Sequence, residues 1–92
     1  MNSATLPSEE LEQIAGACID FLASDPEMLA RFMADAGIGP DALRRGLSDG
    51  SLTPGLIHHF AHDESALVAM CANKGLTPER VMRAYYSLNP DG

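Results

Sequence analysis

The chain has 92 residues, which is enough for one domain and too few for two with separate cores. Hydrophobic residues make up 46% of it, which excludes an intrinsically disordered protein. Thirteen acidic and six basic residues give a net charge of −7, and this argues against nonspecific binding to nucleic acid or to anionic lipid. No apolar run approaches the ~18–20 residues of a membrane span, and the first residues do not form a signal peptide, so we expect a cytoplasmic protein.

Helix-terminal residues and apolar spacing predict an all-α fold, a compact bundle of about six short helices. Apolar residues recur at i, i+3, i+4 and i+7, the spacing of one helix face. An oxygen-bearing residue followed by proline or an acid marks helix starts at Asp25, Thr53, Asp63 and Thr77. Glycine follows several helices, where it suits the left-handed position after the last turn. The predicted helices span residues 8–23, 26–36, 40–48, 54–61, 64–74 and 78–87.

An internal repeat relates two parts of the chain. Residues 19–49 align without a gap to residues 57–87, and the matches include residues that begin and end helices. Repetition of this period is typical of a helical supersecondary unit. The identical pairs are Ile19/Ile57, Ala23/Ala61, Asp25/Asp63, Leu29/Leu67, Ala34/Ala72, Gly37/Gly75, Pro40/Pro78 and Arg45/Arg83.

The repeat sets the predicted domain organisation. We expect one helical domain over residues 8–88, formed by two pseudo-repeated three-helix halves at 8–50 and 51–88. Two copies are too few for an extended solenoid, so the halves are expected to pack around a shared core. The flanking residues are predicted to be a disordered segment at 1–7 and a frayed tail at 89–92.

The apolar stripes also predict which side chains are buried. Leu43 and Leu47 mark the inner face of the third helix in the first half, and the three phenylalanines are assigned to the core. Cys18 and Cys71 form no metal-like or redox-like motif, and we expect both to be buried, reduced thiols. A chain of this size, fully packed, is expected to leave little volume for a pocket of ~300 Å3 or more.

Two segments together carry a family resemblance, FLASDPEMLARFMADAGIGPDALRRGLSD and LIHHFAHDESALVAMCANKGLTPERV. The chain resembles a small bacterial all-helical family of unknown function. Its members share the outline F-L-x-x-D-P-E-x-L-x-x-F, then G-[IL]-x-P-x-x-L-R, then a half with D-E-x-L and G-L-x-P. The resemblance spans roughly residues 14–88 and implies a helical fold and a bacterial cytoplasmic origin. It implies no activity, ligand or catalytic residue, and the histidine cluster is outside the outline.

The third helix of each half raises the hypothesis of nucleic-acid binding. Cys71, Gly75 and Val81 have the spacing of a helix-turn-helix. However, the helices that would read the bases begin with Asp41 or Glu79, which are acids where phosphates would approach. We therefore favour a corner that only packs helices and keep nucleic-acid binding as the alternative. The residues that would carry it are Arg44, Arg45, Arg80 and Arg83.

A histidine cluster raises the hypothesis of metal binding. His58 and His62 stand four residues apart on one helix face, a separation at which two imidazoles can share a zinc ion, with Asp63 or Glu64 as a third ligand. The metalloprotease motif needs glutamate after the first histidine, and that position is His59. Surface or structural histidines remain the preferred interpretation of this cluster.

No constellation of residues points to catalysis. The serines lie in no nucleophile motif, and the carboxylates fall mostly in first helical turns, where capping explains them. We expect neither an enzyme nor a cofactor. The leading interpretation is a protein interaction module that binds an unidentified protein or a second copy of itself, with Tyr86 and Leu88 as candidate contacts.

Overall fold

The computed structural model describes residues 7–90, and within this range the chain forms six α-helices and no β-strand. The all-α prediction is confirmed, and every helix boundary lies within one residue of its predicted position. The radius of gyration, 12.6 Å, is that of a compact chain of this length. The predictions for residues 1–6 and 91–92 lie outside the described residues. The helices are α1 (Ser8–Ala23), α2 (Pro26–Ala36), α3 (Pro40–Asp49), α4 (Thr53–Ala61), α5 (Glu64–Lys74) and α6 (Pro78–Leu88).

Local chemistry explains several of the helix ends. Asp25 before α2 and Asp63 before α5 have extended backbones, and the carboxylate of each accepts a hydrogen bond from a helix N–H at 3.1 Å. Thr77 caps α6 in the same way at 3.2 Å. Gly37 and Gly75 follow α2 and α5 with φ 70°, where a side chain would be strained. These aspartates and glycines occupy aligned positions of the repeat, and their local geometry agrees.

One predicted helix start is wrong, because Thr53 is the first residue of α4 and not its cap. Leu52 takes the cap position in a helical conformation and makes no side-chain capping bond. The Leu52 N–H donates to the Gly46 carbonyl at 3.2 Å, and the Thr53 N–H donates to the Gly50 carbonyl at 3.3 Å. The turn after α3 therefore runs directly into α4, and no separate capping residue intervenes.

The core lies where α4 packs against α1 and α6, with α5 closing it against α1. Both cysteines are buried and reduced, as predicted. Phe32 and Phe60 are buried and Phe21 packs against the core, which confirms their assignment. The residues 7–90 contain no helix that combines the length and apolarity needed to cross a bilayer. The largest side chains with almost no exposed area are Ile14, Cys18, Leu22, Leu56, Ile57, Phe60, Met70 and Val81.

The helix α3 packs lightly, since its only buried residue is a glycine, Gly46, and it makes few contacts with any other helix. A Cβ atom on Gly46 would overlap the Leu52 side chain, so the absent side chain is what permits this contact. Leu43 packs partly against the core, whereas Leu47 is 42% exposed. The prediction that Leu47 lies buried on the inner face is wrong, because Gly46 takes the buried position of α3 and Leu47 stays partly exposed beside it.

Candidate functional site

An open groove of about 450 Å3 runs between α1, α3 and α4. The expectation that the packed chain leaves little pocket volume is therefore wrong. The reason is the light packing of α3, which contacts the rest of the fold through Leu43 and through Gly46 against Leu52 and leaves space beside α1. Its apolar lining consists of Ala15, Ile19, Leu47, Leu52 and Leu56.

The groove continues past the C-terminal end of α3. An adjoining depression of about 290 Å3 shares Glu12, Asp49, Gly50 and Thr53 with the groove and is also lined by Leu88 of α6. Leu88 also packs partly against the core. Of the two residues predicted to contact a partner, Leu88 thus lines this adjoining depression. Tyr86 does not line it, but is 55% exposed beside Tyr85.

Negative charge lies at the rim of the groove, which is named the acidic groove from here on. Its described lining includes two carboxylates, Glu12 and Asp49, and neither lysine nor arginine. The Asp49 carboxylate accepts a hydrogen bond from the Ser51 N–H at 2.9 Å. Hydrogen bonds from the Ser51 backbone and side chain lower the pKa of Asp49, and the positive charge of Arg45 lowers it further. Asp49 is therefore negatively charged near neutral pH.

Sequence reasoning did not find this groove, although two residues signalled it. Gly16 and Gly46 stand inside α1 and α3, where glycine costs roughly 1 kcal/mol relative to alanine. Glycine within a helix often marks a close approach or a packing need. Both residues line the acidic groove, Gly46 at a tight contact and Gly16 facing open space.

A second cleft, of about 460 Å3, lies between α2 and α4 and is here termed the histidine cleft. The rings of His58 and His62 stack with centroids 4.1 Å apart, and both rings lie within 6 Å of the Tyr85 ring. The ring of His59 meets Phe32 edge to face at 5.3 Å. His58 and His62 are exposed, whereas His59 is half-buried. The cleft therefore gathers all three histidines on one side of α4.

The arrangement of these rings offers little to a metal ion. His62 Nδ1 lies 3.0 Å from the carbonyl oxygen of His58, so one ring nitrogen is already engaged. Among residues 7–90, no group of three or more histidine, cysteine, aspartate or glutamate side chains is placed to hold a metal ion. Zinc sites ordinarily use three or four protein ligands. The metal hypothesis rests on His58 and His62 alone and stays a prediction.

The four arginines of the nucleic-acid hypothesis have different surroundings. Arg80 donates from Nε and Nη2 to the Glu10 carboxylate of α1 at 3.0 and 3.1 Å. Arg44 pairs with Asp41 on the surface at 3.4 Å. Arg45 and Arg83 are exposed. Arg80 thus forms an ion pair that links α6 to α1. Nucleic-acid binding stays a prediction, and it now depends mainly on the other three arginines.

The fold and its clefts define a class of protein, a small all-α domain with an acidic, apolar-lined groove on its surface. Within that class, the chain belongs to the family described as protein of unknown function (DUF3572), whose model matches residues 8–91. The match covers nearly the whole chain and agrees with the resemblance to a small helical family of unknown function. Neither the curated proteins nor the solved structures contain a significant match.

Proposed function

We propose that this protein is a non-catalytic cytoplasmic module that binds another protein through the acidic groove. The observation that carries the proposal is a groove of about 450 Å3 that is lined by apolar side chains, with Leu47 exposed among them, and by the carboxylates of Glu12 and Asp49. Grooves of this size that expose apolar surface are typical binding sites.

Two further features support the proposal. Leu47 leaves 42% of its surface exposed beside the groove, although burying a leucine side chain stabilises a protein by roughly 1.5–3 kcal/mol. A partner would cover this surface. Both cysteines are free thiols, which suits a reducing compartment such as the cytoplasm.

The non-catalytic part of the proposal rests on the positions of the acids. Glu9, Glu27, Glu64 and Glu79 stand in first turns of helices, where a negative charge complements the helix dipole. Their positions are explained by helix stability without any chemical role.

Affinity capture from the native host tests the proposal. It compares the wild type with a variant whose acidic groove is filled by a new side chain. A leucine at Gly16 would project into the acidic groove, and nothing lies within 4 Å of the new Cβ. The matched control is Gly55→Leu, which places the same side chain at an equally open helical glycine lining the histidine cleft.

The expected result is a protein retained by the wild type and by Gly55→Leu and lost with Gly16→Leu. Equal retention by all three chains would show that no partner uses this groove, and the proposal would then be abandoned.

A further inference from the structure

We infer that the acidic groove receives an amphipathic helix of a partner protein whose polar face carries lysine or arginine. The inference rests on the proposed function and specifies the chemistry of its partner. Two properties of the groove lead to it, namely its shape and its charge.

The shape suits one face of a helix. About 450 Å3 is too little for a whole helix and is appropriate for the few apolar side chains that a docked helix presents at i, i+3, i+4 and i+7. Gly16 and Gly50 line the groove without side chains, so the backbone of a partner can approach closely on both sides. The adjoining depression, which Leu88 also lines, extends the acidic groove, as an elongated ligand requires.

The charge selects a basic partner. Glu12 and Asp49 stand at the rim, where the groove meets its continuation. Glu9 and Asp20 are exposed on the same stripe of α1 as Glu12 and Gly16, since these residues are three, seven and eleven positions apart. Two carboxylates therefore line the groove, and two more stand on the same face of α1, against one nearby positive charge, that of Arg45. Lysine or arginine on the polar face of a docked helix would meet opposite charge along this border.

Other occupants fit the groove less well. A nucleic acid would bring phosphates to a carboxylate rim, and a second copy of the chain would bring another net charge of −7. An extended peptide that adds to a sheet needs a free strand edge, and the described residues 7–90 form no strand. A helix satisfies its own backbone hydrogen bonds and needs only the apolar lining and the charged rim.

A labelled model helix provides the direct test. The probe is a fluorescent peptide of about 18 residues, about five turns, with leucine on one face and lysine on the other. One control peptide replaces lysine with glutamate, and a second keeps the lysines but replaces leucine with serine. Fluorescence anisotropy at several salt concentrations gives the Kd of each peptide for the full chain.

The expected result is that only the leucine–lysine peptide binds, with a Kd that rises with salt. Gly16→Leu should raise this Kd by about tenfold or more, because the new side chain occupies the apolar lining. Gly55→Leu should leave it unchanged. Glu12→Lys should raise it about fivefold and weaken its dependence on salt, whereas Asp35→Lys, in the histidine cleft, should have little effect.

Several results would overturn the inference. They are equal binding by wild type and Gly16→Leu, equal binding of the glutamate peptide, tight binding of the serine peptide, or a loss confined to Gly55→Leu. Gly16→Leu is expected to fold, because leucine is a better helix former than glycine and its Cβ meets open space. Circular dichroism and the melting temperature check this.

The two proposals fail in different ways. A partner that is lost with Gly16→Leu, together with no binding of the leucine–lysine peptide, would overturn only the partner chemistry. If affinity capture finds no partner that depends on the groove although the leucine–lysine peptide binds, the proposed function is overturned.

Discussion

Arg80 of α6 and Glu10 of α1 form a bidentate ion pair between residues seventy positions apart in the chain. The Arg80 Nη2 also donates to the Gln13 side-chain oxygen at 3.4 Å. The side chains are 33% and 27% exposed, so the pair is partly shielded from water. It ties the first helix to the last, beside a core in which α1 and α6 both pack against α4.

Removing this pair should destabilise the fold. We expect Arg80→Gln and Glu10→Gln to lower the free energy of unfolding non-additively, with a coupling of about 1 kcal/mol in a double-mutant cycle. Urea unfolding of the wild type, both single variants and the double variant measures it. The surface pair Arg44 and Asp41, with side chains 79% and 85% exposed, is the control and should show coupling near zero. Equal coupling in the two cycles would contradict the structural role of Arg80.

Two helical glycines should respond oppositely to the same substitution. Gly46→Ala should lower the free energy of unfolding by about 1–3 kcal/mol, because the new methyl group overlaps the Leu52 side chain. Gly16→Ala should raise it by about 0.5–1 kcal/mol, because alanine favours the helix and its Cβ meets open space. Thermal and urea unfolding distinguish the two effects. Stabilisation by both alanines would mean that α3 does not lie against Leu52.

Alkaline pH should weaken the fold through Cys18. Burial, reinforced by the neighbouring Cys71 thiol, raises the pKa of Cys18 from the usual 9.0 to about 12. Below pH 9 both the folded and the unfolded chain hold this proton, and the stability is unaffected. Between pH 9 and pH 12 the unfolded chain loses the proton and the folded chain keeps it, so the free energy of unfolding falls by about 1.4 kcal/mol per pH unit.

Cys18→Ala isolates this effect from other alkaline titrations. The variant should be less stable than wild type at pH 7.5, because it leaves a small cavity among buried residues. The difference in the free energy of unfolding should shrink as the pH rises from 9 toward 11, because only the wild type has the buried Cys18 thiol that keeps its proton in the folded chain. Urea unfolding across this range measures it. Parallel stability curves for the two chains would show that Cys18 does not contribute.

Zinc should leave the protein unchanged. His58 and His62 stack with each other, and one nitrogen of His62 is engaged with a backbone carbonyl, so two imidazoles provide too few ligands for tight binding. We expect the same melting temperature with and without excess zinc. A stoichiometric zinc uptake with a rise in melting temperature that His58→Ala cancels would establish the metal hypothesis instead.

Helix positions were predictable because their signals are local. Asp25 and Asp63 cap helices through atoms two or three residues away, and Gly37 and Gly75 end helices by their own backbone angles. Each of these interactions is complete within one or two turns of chain. Cys18, which was expected to be buried, is likewise fully enclosed in the core.

The errors and omissions involve contacts between elements. Leu47 was placed inward by its helical spacing from Leu43, but spacing defines only which residues share a face and not how the helix is rotated against its neighbours. The partner of Arg80 was not identifiable, because Glu10 comes close only when α1 and α6 are placed. The internal repeat is seen in the aligned sequence and in local geometry, and the packing of two pseudo-repeated halves around a shared core stays a prediction.

The sequence by itself determined the helical class, the ends of the helices and most of the core side chains, since hydrogen bonding, capping and apolar periodicity act over a few residues. Only the tertiary structure decided that α3 stands partly away from α1, with Gly46 against Leu52 and Leu47 exposed. The acidic groove follows from that packing, and the pairing of Arg80 with Glu10 follows from the placement of α1 and α6 against α4. Packing depends on the mutual fit of side chains far apart in the chain, and no local pattern specifies it.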